Sequence, residues 1–267
     1  MKNPLRIGAL ISGGGTNLQA IIDACQSGGI TGKMTFVGSD NPNAHGLNRA
    51  EKAGIPTFVV DYRAIIQGYQ INAMSPPPDF NLEDCLIKQH IFSERTPAHR
   101  IVRFLITRAI AESRLLQHMK AYPIDLLVLA GFMRNLTPYF IDRVDANPDH
   151  PRIMNIHPAL LPSFPGTDGY GDTFRHGCRV GGCTVHFVDY GEDSGPIIGQ
   201  RCFPIHPDDT LEMAKKKGLE QEWLLYPECI QLFAEAKLNV LKQVHIMDNG
   251  KEMKRTIVRI RTGDGIK

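Results

Sequence analysis

Four clusters in this 267-residue chain combine residue types that do chemistry. The first is Ser12-Gly13-Gly14-Gly15-Thr16-Asn17, set between an apolar run and a helical period. Consecutive glycines let backbone approach an anion, and the helix that follows offers unpaired N–H groups at the positive end of its dipole. Thr16 and Asn17 add side-chain donors. The pattern is not the G-x-x-x-x-G-K-[ST] of a nucleoside triphosphatase, and Leu18 stands where a dinucleotide fingerprint needs its third glycine. A single-phosphate site accounts for the glycines best; a ligand-free strand-to-helix turn is the plainer alternative. The second cluster is Asn155-Ile156-His157-Pro158. Period-two alternation puts Asn155 and His157 on one side of a strand end, where α/β folds bind ligands. A loop histidine beside a capping asparagine is the bland reading. The third is Asp189-Tyr190-Gly191-Glu192-Asp193-Ser194-Gly195-Pro196, ordinary turn chemistry unless Asp193 folds back to orient the His157 imidazole. The fourth, Gly131-Phe132-Met133-Arg134, sets apolar side chains beside one cation and suits a ring-bearing anion. Lys215-Lys216-Lys217 reads as a solvated helix face without a role.

These clusters need elements to hold them. Leu5–Ile11 has strand length and apolarity, and residues 18–24 have helical periodicity. Further strands are expected at 34–37 and 57–60, with a helix at 45–53 between them. Residues 61–97, with Ser75-Pro76-Pro77-Pro78, hold no sustained period and read as an irregular, exposed insertion. A helix over 98–120 leads to the apolar strand 124–130, and another strand covers 153–156. Beyond it, strands at 183–189 and 196–203 precede a helix at 210–235 and a tail of short alternating strands around Gly250. Alternation of strand and helix predicts an α/β fold. Its Rossmann-like, mostly parallel twisted sheet is flanked by helices, with an antiparallel C-terminal addition. One domain, 1–267, is expected, its halves dividing near residue 150.

Composition narrows the class. Thirty Lys+Arg against twenty-eight Asp+Glu give a net charge of +2, which argues against a polycationic nucleic-acid binder. With 42% apolar and 22% charged residues, disorder is excluded and a sizeable core is available. The basic–apolar start ends in glycines and lacks a cleavage site, so no signal peptide is expected. No run approaches the ~20 apolar residues of a membrane span, and the chain reads as cytoplasmic. The six cysteines are scattered without a Cys-x-x-Cys pair, so neither a zinc site nor a disulfide framework is expected.

Taken together, the motifs resemble the phosphoribosylglycinamide formyltransferase family of folate-dependent enzymes. The matching stretches are LISGGGTNLQAI (10–21), LLVLAGFMR (126–134), MNIHPALLPSFPG (154–166), TVHFVDYGEDSGPII (184–198) and Glu222 with Tyr226-Pro227. The resemblance implies transfer of a formyl group from 10-formyltetrahydrofolate to the amine of glycinamide ribonucleotide, without a metal. It implies that Asn155, His157 and Asp193 are catalytic, and that Gly15, Thr16 and Asn17 hold the substrate phosphate with Glu222 near the ribose. Arg108, Met133, Arg134, Asn135, Leu136, Asn155, Asp189, Tyr190, Gly191 and Glu192 would line the folate site. Arg108 follows from a gapless count back from Gly131-Phe132-Met133. Partners are then small molecules, with no nucleic acid or membrane, and a homodimer is admitted. Two departures stand out: the 61–97 segment, and Thr167-Asp168-Gly169-Tyr170-Gly171-Asp172 where the family carries histidines, so the flap there should close differently. A formyltetrahydrofolate deformylase shares Asn155, His157 and Asp193, but normally has a regulatory domain where here six residues precede Ile7. A methionyl-tRNA formyltransferase usually adds a longer C-terminal RNA-binding domain. A non-catalytic phosphoribosyl-binding module would not need the three intact polar groups.

Overall fold

The computed structural model describes residues 3–71, 74–145, 147, 149–262 and 265–266. Leu5–Ile11 (β1) is followed by the glycine loop, Thr16–Ser27 (α1), Gly32–Ser39 (β2), His45–Lys52 (α2) and Thr57–Val59 (β3). Three helices, Tyr62–Ile71 (α3), Leu82–Lys88 (α4) and Ala98–Met119 (α5), lead to Leu126–Leu129 (β4). Then come Pro138–Val144 (α6), Ile153–His157 (β5), Gly169–Arg175 (α7), Val180–Phe187 (β6), Ile197–Pro204 (β7) and Leu211–Ala234 (α8). Leu238–Ile246 (β8), Glu252–Thr262 (β9) and Gly265–Ile266 (β10) close the chain as a separate antiparallel sheet.

The main sheet has the order β3-β2-β1-β4-β5-β6-β7. Strands β1 to β5 are parallel, and β6 and β7 are antiparallel additions beside β5. After β1 the chain moves outward through β2 and β3, then returns to lay β4 on the other side of β1. That reversal opens a crevice at the carboxyl ends of β1 and β4, where doubly wound sheets bind ligands. Alternation along β1 divides the core. Ile7, Ala9 and Ile11 pack with Leu18 and Ile21 of α1 and Tyr226 and Ile230 of α8, while Leu10 faces Leu127, Leu129, Leu115 and Phe140. Each such fully buried aliphatic or aromatic side chain contributes about 1.5–3 kcal/mol. Tyr226 also ties α8 to the sheet, its buried hydroxyl donating to the carbonyls of Leu129 (3.2 Å) and Met154 (2.8 Å).

Two expectations are corrected, and a third stretch is defined. Residues 61–97 are not irregular throughout: 62–71 form α3 and 82–88 form α4, joined and followed by turns and loop, with 72 and 73 outside the described residues. Asn81 caps α4, its side-chain oxygen accepting from Asp84 N at 3.0 Å, and Glu83 and Asp84 suit the helix N-terminus. Cys85 is buried against Leu105, Ala109 and Tyr139, with Phe80, Leu82 and Phe104 around it. The C-terminal strands β8 and β9 are long, at 9 and 11 residues. The 167–172 stretch runs into α7, whose Arg175 pairs with Asp168 and Asp172 at 2.7 Å each.

Candidate functional site

The glycine loop leaves β1 and turns into α1. Gly15 sits at φ 71°, the left-handed region, and a Cβ there would lie 2.7 Å from Gly46 Cα. Its conformation and the close approach of α2 therefore both require glycine. Gly13 and Gly14 face open space, their carbonyls accepting from Gly46 N (3.0 Å) and Arg49 Nε (2.9 Å). The N–H groups of Thr16, Asn17 and Leu18 open α1 without i−4 helical partners. The buried Asn17 side chain donates to Glu222 Oε2 at 2.6 Å, and Tyr170 Oη donates to Glu222 Oε1 at 2.6 Å. Burial pushes the Glu222 carboxyl up from its usual value, against the pull of both donors.

Asn155 and His157 leave β5 on one side, as alternation requires. His157 is 2% exposed. Its Nδ1 lies 3.2 Å from Asp193 Oδ2, and its Nε2 is 2.8 Å from the Phe164 carbonyl. Both ring nitrogens thus face oxygens that only accept. Asp193 reaches back across thirty-six positions because it adopts φ 51°, and Gly166 N anchors its Oδ2 at 2.8 Å. Burial opposes ionisation of Asp193, but nearby His186, the charge of His157 and the Gly166 N–H outweigh it and hold the carboxyl below the usual range. His186 is the cross-strand partner of Asn155. Its Nδ1 is 2.8 Å from the Phe187 carbonyl and must carry hydrogen, so in the neutral ring Nε2 accepts from Asn155 Nδ2 at 3.2 Å.

A cavity of about 500 Å³ joins these groups. Of the expected residues, Asn17, Arg108, Met133, Arg134, Asn135, Leu136, Asn155, His157, Asp189, Gly191, Glu192, Asp193 and Glu222 line it. Gly15, Thr16 and Tyr190 do not. Gly15 and Thr16 lie at the loop itself, and Tyr190 packs into the core beside β4 and gives its hydroxyl to Asp142 Oδ1 at 2.5 Å. Arg108 is 9% exposed, held over the rings of Phe104 (4.8 Å) and Tyr62 (5.3 Å). Its Nε and Nη1 have no hydrogen-bond partner among the described residues. Burial, then Arg134, pulls its guanidinium down from the usual value, while Tyr62, Glu112 and Asp40 oppose them. Behind it the fully buried Glu112 accepts from Thr137 N (2.9 Å) and Oγ1 (2.5 Å). Burial pushes Glu112 up to about 7, against those donors and Arg108. Arg134 is tied to Asp40 Oδ2 at 2.5 Å, Asn135 Nδ2 donates to Glu192 at 3.1 Å, and Met133 N donates to Ser12 Oγ at 2.8 Å.

Sequence reading missed Phe104, Tyr170, His186 and Lys215 in the cavity wall. Lys215 is one of three lysines read as a solvated face, yet its i+7 spacing to Glu222 puts both on one side of α8. Lys217 instead pairs with Asp209 at 2.6 Å. His186 was findable from the β5–β6 register; Tyr170 carried no signal. Among the described residues no group of three His, Cys, Asp or Glu side chains is arranged to hold a metal ion, and no helix is long and apolar enough to cross a membrane.

Comparison with known proteins identifies the family. A formyl transferase family profile matches residues 5–230. The chain is 33% identical over 251 residues to the phosphoribosylglycinamide formyltransferase of Haemophilus influenzae, covering 94% of this chain and 97% of that one. It is 32% identical over 238 residues to the trifunctional purine biosynthetic protein adenosine-3 of Gallus gallus, covering 89% of this chain but only 19% of that longer protein. The crystal structure of glycinamide ribonucleotide transformylase 1 from Symbiobacterium toebii superposes with a TM-score of 0.69 at 35% identity, over 97% of this chain and 95% of that one. This chain therefore belongs to the formyl transferase family, in its phosphoribosylglycinamide branch.

Proposed function

We propose that this chain transfers the formyl group of 10-formyltetrahydrofolate to the primary amine of glycinamide ribonucleotide, in the cytoplasm, as a homodimer. The observation that carries the reading is one cavity lined by the His157–Asp193 pair, Asn155, the Asn17–Glu222 pair and a buried Arg108 whose Nε and Nη1 have no hydrogen-bond partner among the described residues. Gly15, Thr16 and Asn17 take the substrate phosphate at the α1 N-terminus, and Glu222 accepts from ribose hydroxyls. Arg108 suits an anionic carboxylate of the folate, because two of its donors are buried and unspent. Met133, Arg134, Asn135 and Leu136 form one wall, and Asp189, Gly191 and Glu192 another. Tyr190 acts from behind that second wall. We read residues 1–267 as one domain, its phosphate-binding half at 1–150 and its catalytic half at 151–267. Arg108 and Met133 belong to the first half, so both halves share the folate wall.

When the amine attacks the formyl carbon, negative charge grows on the formyl oxygen. Asn155 Nδ2–H and a His157 N–H are the donors for it, worth about 10²–10³ in rate each. His157 spends both nitrogens on protein oxygens here, so serving the oxyanion means exchanging one of them. The Phe164 carbonyl is the partner to release: Phe164 is held at φ 54°, a strained conformation for a bulky residue. Asp193 keeps the ring oriented and the proton moves from amine to departing nitrogen through His157 or a bridging water, which adds about 10²–10⁴. The test is a formyl-transfer assay with and without glycinamide ribonucleotide. Formylation of the amine supports the reading. Formate release independent of the ribonucleotide would make the chain a deformylase.

A further inference from the structure

The turn between Phe187 and Ile197 carries Asp193 and one wall of the cavity, and it joins the sheet at its start, where Val188 N donates to the Ile153 carbonyl of β5 at 2.9 Å. Farther along, beside the Asn135–Glu192 and Gly166–Asp193 bonds, the 61–97 segment supports it from outside the sheet. Lys88, in the last turn of α4, places Nζ 2.7 Å from Asp142 Oδ2 and 2.9 Å from Asp84 Oδ2. The other oxygen of Asp142 accepts from Tyr190 Oη at 2.5 Å. Two residues after Lys88, His90 N donates to the Tyr190 carbonyl at 2.8 Å, and His90 bridges Gly191 in parallel register. α4 is itself fixed by Cys85, buried against α5 and α6. Phe92 continues the same edge, meeting Phe104 edge-on at 5.0 Å, and Phe104 in turn covers the Arg108 guanidinium.

We propose that this segment is a brace for the folate half of the cavity: Lys88 and Tyr190, joined through Asp142, are positioning residues for the Asp189-to-Asp193 turn, and Phe92 positions Arg108. The proposal rests on the folate reading above. Its physical basis is convergence. Lys88 and Asp142 are each about one-third exposed, so a single pair in that setting is weak. Here, however, a cation, a carboxylate, a phenol and a backbone N–H meet on one two-residue stretch, Tyr190-Gly191. A turn that must hold Asp193 at positive φ loses geometry when any member goes. Because the members act as one chain of bonds, their effects should not add.

The test measures KM for both substrates, calorimetric folate affinity and Tm in Lys88→Met, Tyr190→Phe, the double variant, Lys88→Arg and Phe92→Ala. Apart from Phe92→Ala, each substitution changes only the polar end of a side chain and keeps most of its packing. Lys88→Met, Tyr190→Phe and the double variant should each raise the folate KM and Kd by a similar three- to ten-fold, with the ribonucleotide KM unchanged. Lys88→Arg should restore the wild-type value, and Phe92→Ala should weaken folate independently of the other two. Additive losses, equal rises in both KM values, or a lowered Tm with unchanged folate affinity would overturn the brace. Folate affinity is read by calorimetry without the amine substrate. Failure of formyl transfer in the wild-type protein would therefore count against the proposed function and leave the brace decided by its own result.

Discussion

Asp193→Asn is the most informative single change at the candidate site. Asparagine tolerates the left-handed region better than other non-glycine residues, so the backbone at φ 51° should be retained. What changes is acceptor capacity. In the wild type, Oδ2 serves both Gly166 N at 2.8 Å and His157 Nδ1 at 3.2 Å, while Oδ1 lies 3.7 Å from His186. An amide has one oxygen for these tasks and turns an NH₂ group toward whichever donor it abandons, and the negative charge is gone. His157 then lacks the partner that orients it and stabilises its charge as the proton moves. Loss of that proton-transfer role corresponds to about 10²–10⁴ in rate, or about 2.7–5.4 kcal/mol of transition-state stabilisation. The loss should fall on kcat, with both KM values within about two- to three-fold, because the interaction matters mainly in the transition state. Single-turnover formyl transfer measures it directly. His157→Asn should cost a similar factor, and the double variant should cost little more than either single. Additive losses, or a kcat within about five-fold of wild type with matched circular dichroism, would refute the pairing and reduce Asp193 to a turn residue.

Three further outcomes follow from the geometry. Arg108→Ala should raise the folate KM by about ten- to hundred-fold, the range of a charge-assisted bond to a buried partner, and spare the ribonucleotide KM; equal losses in both would remove Arg108 from the folate wall. Gly15→Ala should destabilise by about 1–3 kcal/mol through strain at φ 71° and collision with Gly46, and should weaken phosphate-bearing ligands more than folate; urea melts and calorimetry with each ligand check both parts. Glu112 is held up to about 7 against an ordinary 4.5, so folding favours its protonated form. The stability it contributes is complete below about pH 4.5 and lost as pH rises through about 7, roughly 3 kcal/mol in all. Glu112→Gln should remove that slope, so the stability difference between variant and wild type should move in the variant's favour by a few kcal/mol between pH 4.5 and 8. A pH-independent difference in urea unfolding would show that Glu112 ionises freely in the fold.

The parts of this fold that sequence exposed are those governed by short-range periodicity. β1, the glycine loop and α1 follow from an apolar run, punctuation and a 3.6-residue period, and Asn155 and His157 share a side because a strand alternates. Asp193 was recognisable as a polar turn residue, but its approach to His157 depends on one positive φ and one N–H from Gly166, which no spacing encodes. The helices α3 and α4 were hidden by the proline run at 76–78 and by their shortness. Helix α4 buries only Cys85 fully, so its apolar period is too brief to register, although the Asn81 cap and the acidic pair after it were local cues. Three adjacent lysines read as a solvated helix face, but the helix turns Lys215 to the cavity and Lys217 to Asp209.

Why Asn155 and His157 hold their places is a question of register. Asn155 stands opposite His186 and His157 opposite Thr184 across the β5–β6 ladder. A slip of one residue would turn both side chains to the other face. The chain prevents that slip with buried polar groups at the strand exit. Thr184 Oγ1 donates to the Ala159 carbonyl at 2.7 Å and accepts from Leu161 N at 3.0 Å and Gln200 Nε2 at 2.9 Å. Breaking this set would leave donors and acceptors unsatisfied in a dry interior, at about 1–3 kcal/mol for each orphaned group. The antiparallel strands β6 and β7 therefore do more than extend the sheet. They supply Thr184 and Gln200 to lock the β5 register, and His186 to hold the Asn155 amide, so the rigid part of the site comes from strand pairing. In the proposed mechanism the part that moves is the backbone from Phe164 to Gly166: the Phe164 carbonyl, 2.8 Å from His157 Nε2, would leave the ring while the Gly166 N–H stays on Asp193.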